Sequence, residues 1–193
     1  EIVSRPYIYI TLELMKQFGV SATWEDHTIR VLPQSYTPIR FTVESDWSAA
    51  SYWYEMMALS PGAEIELLGL FKESLQGDAA GAKLFERLGV ESCFTDRGVR
   101  LRHTGIRCKE LTYDFVNEPD LAQTFVVTCA LLGVPFRFTG LQSLKIKETD
   151  RIAALQTELR KLGYVLRDAQ DSILSWDGER CEPEAHPVIA TYE

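Results

Sequence analysis

No apolar run in this sequence comes near the roughly 20 residues that a helix needs to cross a bilayer, so a membrane partner is not expected. Excess basic charge is lacking too. Twenty Lys and Arg stand against 28 Asp and Glu, for a net charge of −8. A phosphate backbone calls for a basic surface, so nucleic acid is not an expected partner, although a local basic pocket for a small anion remains open. The four cysteines, Cys93, Cys108, Cys129 and Cys181, form no C-x-x-C pair and have no His at zinc-finger spacing. No metal site and no cofactor are expected. Cys129 falls in an apolar helical run that suits a core, and the cysteine pattern suits a reducing cytoplasm. His27, His103 and His186 are scattered through turn-like and strand-like segments and read as structural or surface residues. A secretory leader is absent as well, but the chain opens at Glu1 rather than Met and reads as a piece of something longer.

What is present is ordinary globular composition: 193 residues, 46% hydrophobic and 25% charged, enough for one large or two small cores. Within it a pattern recurs. Ile10, Leu14 and Phe18 mark a helix that Gly19 ends, and residues 20–24 and 28–32 then alternate around the polar turn Glu25-Asp26-His27 as a hairpin. A helix through Phe85 and Leu88 stops at Gly89. Residues 90–94, the turn Thr95-Asp96-Arg97-Gly98 and residues 99–101 follow. A third helix stops at Gly163, followed by residues 164–166, a turn at residues 168–171 and residues 172–176. The three glycines are 70 and 74 residues apart, the scale of a duplicated supersecondary unit rather than a short solenoid repeat.

The rest of the unit repeats as well. Residues 39–44 read as a strand, 47–59 as a helix and 63–70 as a strand. Residues 111–116, 119–132 and 135–141 match them in order. The expected fold is therefore α/β, built of βαβαββ units at about 38–109 and 110–180. Residues 186–193 read as the first strand of another unit, and residue 1 enters a unit midway, so a partial copy with structure missing at both ends is expected.

The chemistry gathers at helix starts. Asp46, Asp78 and Asp120 each open a helix, where the dipole and free N–H groups favour an acid for purely structural reasons. Pro119 suits the first turn beside Asp120. The stretch Lys147-Glu148-Thr149-Asp150-Arg151 is different. Ile152, Leu155, Leu159 and Leu162 make one apolar helical stripe after it, closed by Arg160, Lys161 and Gly163. Lys147 and Arg151 then crowd the positive end of that helix, four residues apart on one face. Two readings fit: a solvated mixed-charge helix start, or an anion site. If the helix starts converge, Asp120 and Glu148 would form a carboxylate pair beside two cations, suited to a phosphorylated or carboxylated small molecule.

That pentad, with Ile152-Ala153-Ala154 and Glu158-Leu159-Arg160-Lys161-Leu162-Gly163, closely resembles the signature of the EPSP synthase (3-phosphoshikimate 1-carboxyvinyltransferase) family. Val3-Ser4-Arg5-Pro6-Tyr7-Ile8 resembles the family's Ser-Lys-Pro-Tyr segment. Glu44-Ser45-Asp46 with Ala49-Ala50-Ser51-Tyr52 resembles its Glu-Gly-Asp and Ser-Ala-Ser-Tyr segments, and Pro119-Asp120 its Pro-Asp-Ala motif. The final Thr191-Tyr192-Glu193 sits just before the place of the family's Asp-His-Arg.

The resemblance implies a two-domain, inside-out α/β barrel fold with three units per domain and a cleft between the domains. Residues 1–43 would end the first domain. Residues 44–193 would give two units of the second and one further strand. It implies transfer of the enolpyruvyl group of phosphoenolpyruvate to the 5-hydroxyl of shikimate 3-phosphate, with release of phosphate, in a cytoplasmic monomer. By motif, Asp120 would be the base at the 5-hydroxyl and Glu148 would move a proton at the methylene carbon. Lys147 would contact the shikimate substrate and Asp120, Arg151 would hold phosphoenolpyruvate, Ser4 and Tyr7 would bind the 3-phosphate, and Ser143 stands at a shikimate 3-phosphate contact. Three departures stand out: Ser45 for Gly, which would be strained at positive φ; Leu121 for a small residue; and Arg5 for Lys. Residues 1–193 alone are expected to bind substrates poorly and turn over nothing measurable. The alternatives are the sister family acting on UDP-N-acetylglucosamine and a non-catalytic anion-binding piece.

Overall fold

The computed structural model describes residues 5–147 and 149–192. Helix α1 spans Arg5–Gln17 and leads into the antiparallel hairpin β1 (Ala22–Glu25) and β2 (Thr28–Val31). Helix α2 (Trp47–Ala58), strand β3 (Glu64–Leu68), helix α3 (Ala80–Glu86) and strands β4 (Val90–Phe94) and β5 (Gly98–His103) form the next unit. Strand β6 (Leu111–Asp114), helix α4 (Ala122–Leu132), strand β7 (Phe136–Thr139), helix α5 (Arg151–Lys161) and strands β8 (Arg167–Ala169) and β9 (Ile173–Trp176) form the last. The sheets run β3-β5-β4 and β6-β7-β9-β8, with β6 parallel to β7 and the other pairs antiparallel. The three helix-plus-hairpin copies expected from the glycine spacing are present. Gly19, Gly89 and Gly163 close α1, α3 and α5 with φ of 84°, 88° and 88°, a left-handed conformation that a side chain would strain.

One hydrophobic core runs from Trp47 to Trp176 through both larger sheets. Tyr54, Phe85, Phe125, Phe115 and Phe138 form an aromatic chain through it, with centroid spacings from 4.2 to 5.6 Å. Cys129 is buried in it. No residue of α1 is buried, and neither α1 nor its hairpin contributes to this core.

The structure differs from the sequence reading in four places. Residues 39–44 form no strand. Thr37 N–H is tied back to the Phe18 carbonyl and Ser45 N–H to that of Gly69, so the segment is stretched between two anchors rather than laid along β3. Its apolar Ile39, Phe41 and Val43 stay exposed. Residues 164–166 are not a strand either. Tyr164 makes one isolated bridge to Arg180, and β8 starts three residues later because Asp168 and Ala169 pair with Leu174 and Ile173. The turn contracts to Gln170 and Asp171, both at φ 55°, as a tight hairpin requires. Described residues 186–192 form no strand and are held against α5 by Glu158 and Lys161. Finally, α5 starts at Arg151, capped by Asp150 Oδ1 accepting from Ala153 N–H at 3.0 Å. Lys147 precedes the helix, so the expected repulsion along one helical face does not arise.

Two of the three departures from the family pattern, Ser45 and Leu121, also find their explanation. Ser45 is not at positive φ. Its Oγ donates to the Leu68 carbonyl at 3.0 Å and occupies the space that a Cβ on Gly69 would need. Leu121 is core, packed over Gly81, which has no side chain in the way.

Candidate active site

Asp120 sits in one 3-10 turn, Pro119–Leu121. Pro119 needs no backbone partner at the helix start, and it and Leu121 are both buried. The two anchors leave the Asp120 side chain pointing outward, 23% exposed. Three elements converge on it. Lys147 Nζ, from the loop before α5, reaches Oδ1 at 3.1 Å and Oδ2 at 3.4 Å. Arg151 Nη1, from the first turn of α5, donates to Oδ1 at 3.0 Å. The Tyr7 hydroxyl, from α1, donates to Oδ2 at 3.0 Å. The two crowded cations of the pentad are thus neutralised in part by a carboxylate from the start of the preceding helix of the same unit, an arrangement invisible in the pentad alone.

Burial acts to raise the Asp120 proton affinity, but the hydrogen bonds and charge of Lys147, the Tyr7 hydroxyl and the Arg151 charge outweigh it. The carboxyl is held below the usual range and is ionised at neutral pH. Tyr7 shifts the other way. Burial first, then the charges of Asp78 and Asp120, push its hydroxyl well above the usual value and keep it a donor.

Of the residues singled out from the sequence, Tyr7, Asp120, Lys147 and Arg151 come together. Ser143 lies in the short helical turn Gln142–Lys145; its Oγ is buried and has no hydrogen-bond partner among the described residues. Ser4 and Glu148 lie outside the described residues. Asp46 does what a helix-start acid should, accepting from Ser48 and Ala49 N–H. Asp78 does not: its Oδ2 is hydrogen-bonded to the Ser48 hydroxyl, and the residue is 3% exposed.

Two contributors escaped the sequence reading. Gln123, one turn after Asp120, accepts from Arg151 Nη1 at 3.4 Å and donates to the Tyr52 hydroxyl at 2.8 Å. The i, i+3 spacing from Asp120 was the available signal. Glu55 faces a cavity of about 500 Å³ shared with Gln123, Arg151, Glu158 and Tyr192, and burial lifts its carboxyl to about 7. Among the described residues no group of His, Cys, Asp and Glu is placed to hold a metal, and no helix is long and apolar enough to cross a membrane.

A family model described as EPSP synthase (3-phosphoshikimate 1-carboxyvinyltransferase) matches residues 1–191. The chain belongs to the EPSP synthase family. A 3-phosphoshikimate 1-carboxyvinyltransferase of Bacteroides fragilis is 67% identical over 194 residues, covering 100% of this chain and 47% of the relative. One from Cellvibrio japonicus is 38% identical over 174 residues, covering 89% of this chain and 40% of the relative. The chain thus spans about half the length, or less, of these curated relatives. A solved EPSP synthase from Acinetobacter baumannii superposes with a TM-score of 0.67 at 17% identity, covering 86% of this chain and 40% of that one, which shows the EPSP synthase-like α/β fold as a partial copy.

Proposed function

We propose that this chain, within a polypeptide of its relatives' full length, transfers the enolpyruvyl group of phosphoenolpyruvate to the 5-hydroxyl of shikimate 3-phosphate and releases phosphate. The observation that carries this reading is the convergence of Lys147, Arg151 and Tyr7 on the Asp120 carboxylate. The roles follow the family motif. Asp120 takes the proton of the 5-hydroxyl as its oxygen attacks C2 of phosphoenolpyruvate. Glu148 supplies a proton to the methylene carbon, which becomes a methyl group, and the tetrahedral adduct then expels phosphate as a methyl proton is lost, which restores the methylene. Lys147 and Tyr7, with Ser4 and Ser143, hold the shikimate substrate, and Arg151 holds phosphoenolpyruvate.

The electrostatics support a coupling between binding and basicity. Lys147 and Arg151 keep the Asp120 carboxylate a weak base. Two anionic substrates would draw those cations away, and Asp120 would gain proton affinity where it must accept a proton.

We also read residues 1–43 as the end of one domain, and 44–193 as two units and the beginning of a third in another. The single core from Trp47 to Trp176, with α1 outside it, supports that division. The protein acts as a cytoplasmic monomer, needs no metal or cofactor, and residues 1–193 alone are inactive. The test is phosphate release by the full-length polypeptide with phosphoenolpyruvate and either shikimate 3-phosphate or UDP-N-acetylglucosamine, beside Asp120→Ala. Activity with shikimate 3-phosphate alone, reduced at least about a hundredfold in the variant, is expected. Activity with the nucleotide sugar, or none, would overturn the reading.

A further inference from the structure

Behind Tyr7 lies a second carboxyl that the proposed reaction does not use. Asp78 stands in the 3-10 turn Gly77–Ala79 and is 3% exposed. Its Oδ2 meets the Ser48 hydroxyl, while its Oδ1 is buried without a partner among the described residues. An anionic oxygen left so is costly. A neutral carboxyl with an unpaired carbonyl oxygen costs far less. Ser48 and Asp78 both bear on the proton affinity of the Tyr7 hydroxyl, and Tyr7 bears on that of Asp78. The groups form a line: Asp78, Ser48, Tyr7, Asp120.

We propose that Asp78 is a positioning residue for the Asp120 carboxylate, standing uncharged at the buried end of this line and orienting its hydroxyl hydrogens toward Asp120. With a proton on Oδ2, Asp78 donates to Ser48 Oγ. The Ser48 hydrogen then turns to the Tyr7 oxygen, and the Tyr7 hydrogen remains on Asp120. If Asp78 ionises, Ser48 must turn back to it, and the support to Tyr7 is lost. Burial favours the neutral form most, the charges of Asp120 and Asp46 add to it, and the hydrogen bonds of Ser48 and Tyr7 oppose it. Glu118 is another acid that Asp78 acts on, and Lys147 and Arg151 reach the line at Asp120.

The kinetic role rests on the proposed enolpyruvyl transfer, whereas the charge state does not. Two measurements separate them. In residues 1–193 at pH 7, the infrared difference between the unaltered chain and Asp78→Asn should contain the band of a protonated carboxyl. A carboxylate band in its place overturns the inference whatever the activity. In the full-length polypeptide, Asp78→Asn should cost no more than about threefold in kcat, and Asp78→Ala about thirtyfold with little change in KM for phosphoenolpyruvate. The parent's activity should fall as pH rises through the ionisation of Asp78, and Asp78→Asn should lack that limb. An Asn variant as impaired as the Ala variant, or one with the parent's pH profile, overturns the inference. A parent inactive with both acceptors sinks the proposed reaction instead, and the infrared result still decides the state of Asp78.

Discussion

The Tyr7 hydroxyl donates to Asp120 Oδ2 over 3.0 Å, although 113 positions separate the two residues in the chain. The contact joins a helix outside the main core to a turn anchored within it. Replacing Tyr7 by Phe removes one hydrogen bond to a charged group and little volume. We expect kcat of the full-length polypeptide to fall about tenfold, with the melting temperature of residues 1–193 changed by only a few degrees. Unchanged steady-state kinetics would show that the hydroxyl does nothing for the site.

Lys147→Met tests the electrostatics of the same carboxylate. Lys147 is the foremost group holding Asp120 below the usual carboxylate range, so its loss should make Asp120 titrate at higher pH, while Tyr7 and Arg151 keep part of the effect. A lowered carboxylate stabilises the fold above its unfolded pKa, and that stability is lost as pH falls through the folded value. The variant should therefore be less stable than the parent near neutrality, and the gap should close in acid. Carbon-13 NMR of the Asp120 carboxyl, with urea melts at pH 7 and pH 3, checks both parts.

Glu55 predicts the opposite pH dependence. Burial raises its carboxyl from 4.5 to about 7. Ionising it in the fold is unfavourable, so its cost is absent below about pH 4.5, grows as pH rises, and levels off above about 7. Glu55→Gln should stabilise residues 1–193 by about 1–2 kcal/mol at pH 8, discounted for partial exposure, and by nothing at pH 4. A benefit equal at both pH values would assign the effect to packing.

Phe125 sits between Phe85 and Phe115 with no exposed surface. Phe125→Ala should destabilise by about 3–5 kcal/mol, because the ring touches side chains from both larger units and neither can close the void alone. If chemical denaturation of the variant then shows two transitions in place of one, the two units fold separately once that ring is gone.

Local patterns made much of this architecture legible. The three helix-ending glycines and the alternating pairs after them announced the repeated hairpins, and the apolar stripe beyond Arg151 announced α5. What failed depended on neighbours. Residues 39–44 have strand composition but are held at Thr37 and Ser45, away from a sheet edge. Lys147 does not share a helical face with Arg151, because α5 starts only after its cap, Asp150. In the site, the pentad displayed two cations with no visible reason to be adjacent. The reason is Asp120, about 30 residues earlier at the preceding helix start, and no local periodicity encodes that. Asp78 was read as a helix-start acid, like Asp46, because burial and the orientation of Ser48 leave no mark in the spacing of charges.

Gly77 has no side chain, and Pro6 lies where one would go. A methyl group on Gly77 would stand 2.5 Å from Pro6 Cβ. Over evolutionary time, then, residue 77 should enlarge only in lineages where residue 6 has shrunk or α1 has moved. Such a compensating pair would be a historical trace of α1 docking beside Asp78 and Asp120, readable in any sufficiently deep set of relatives.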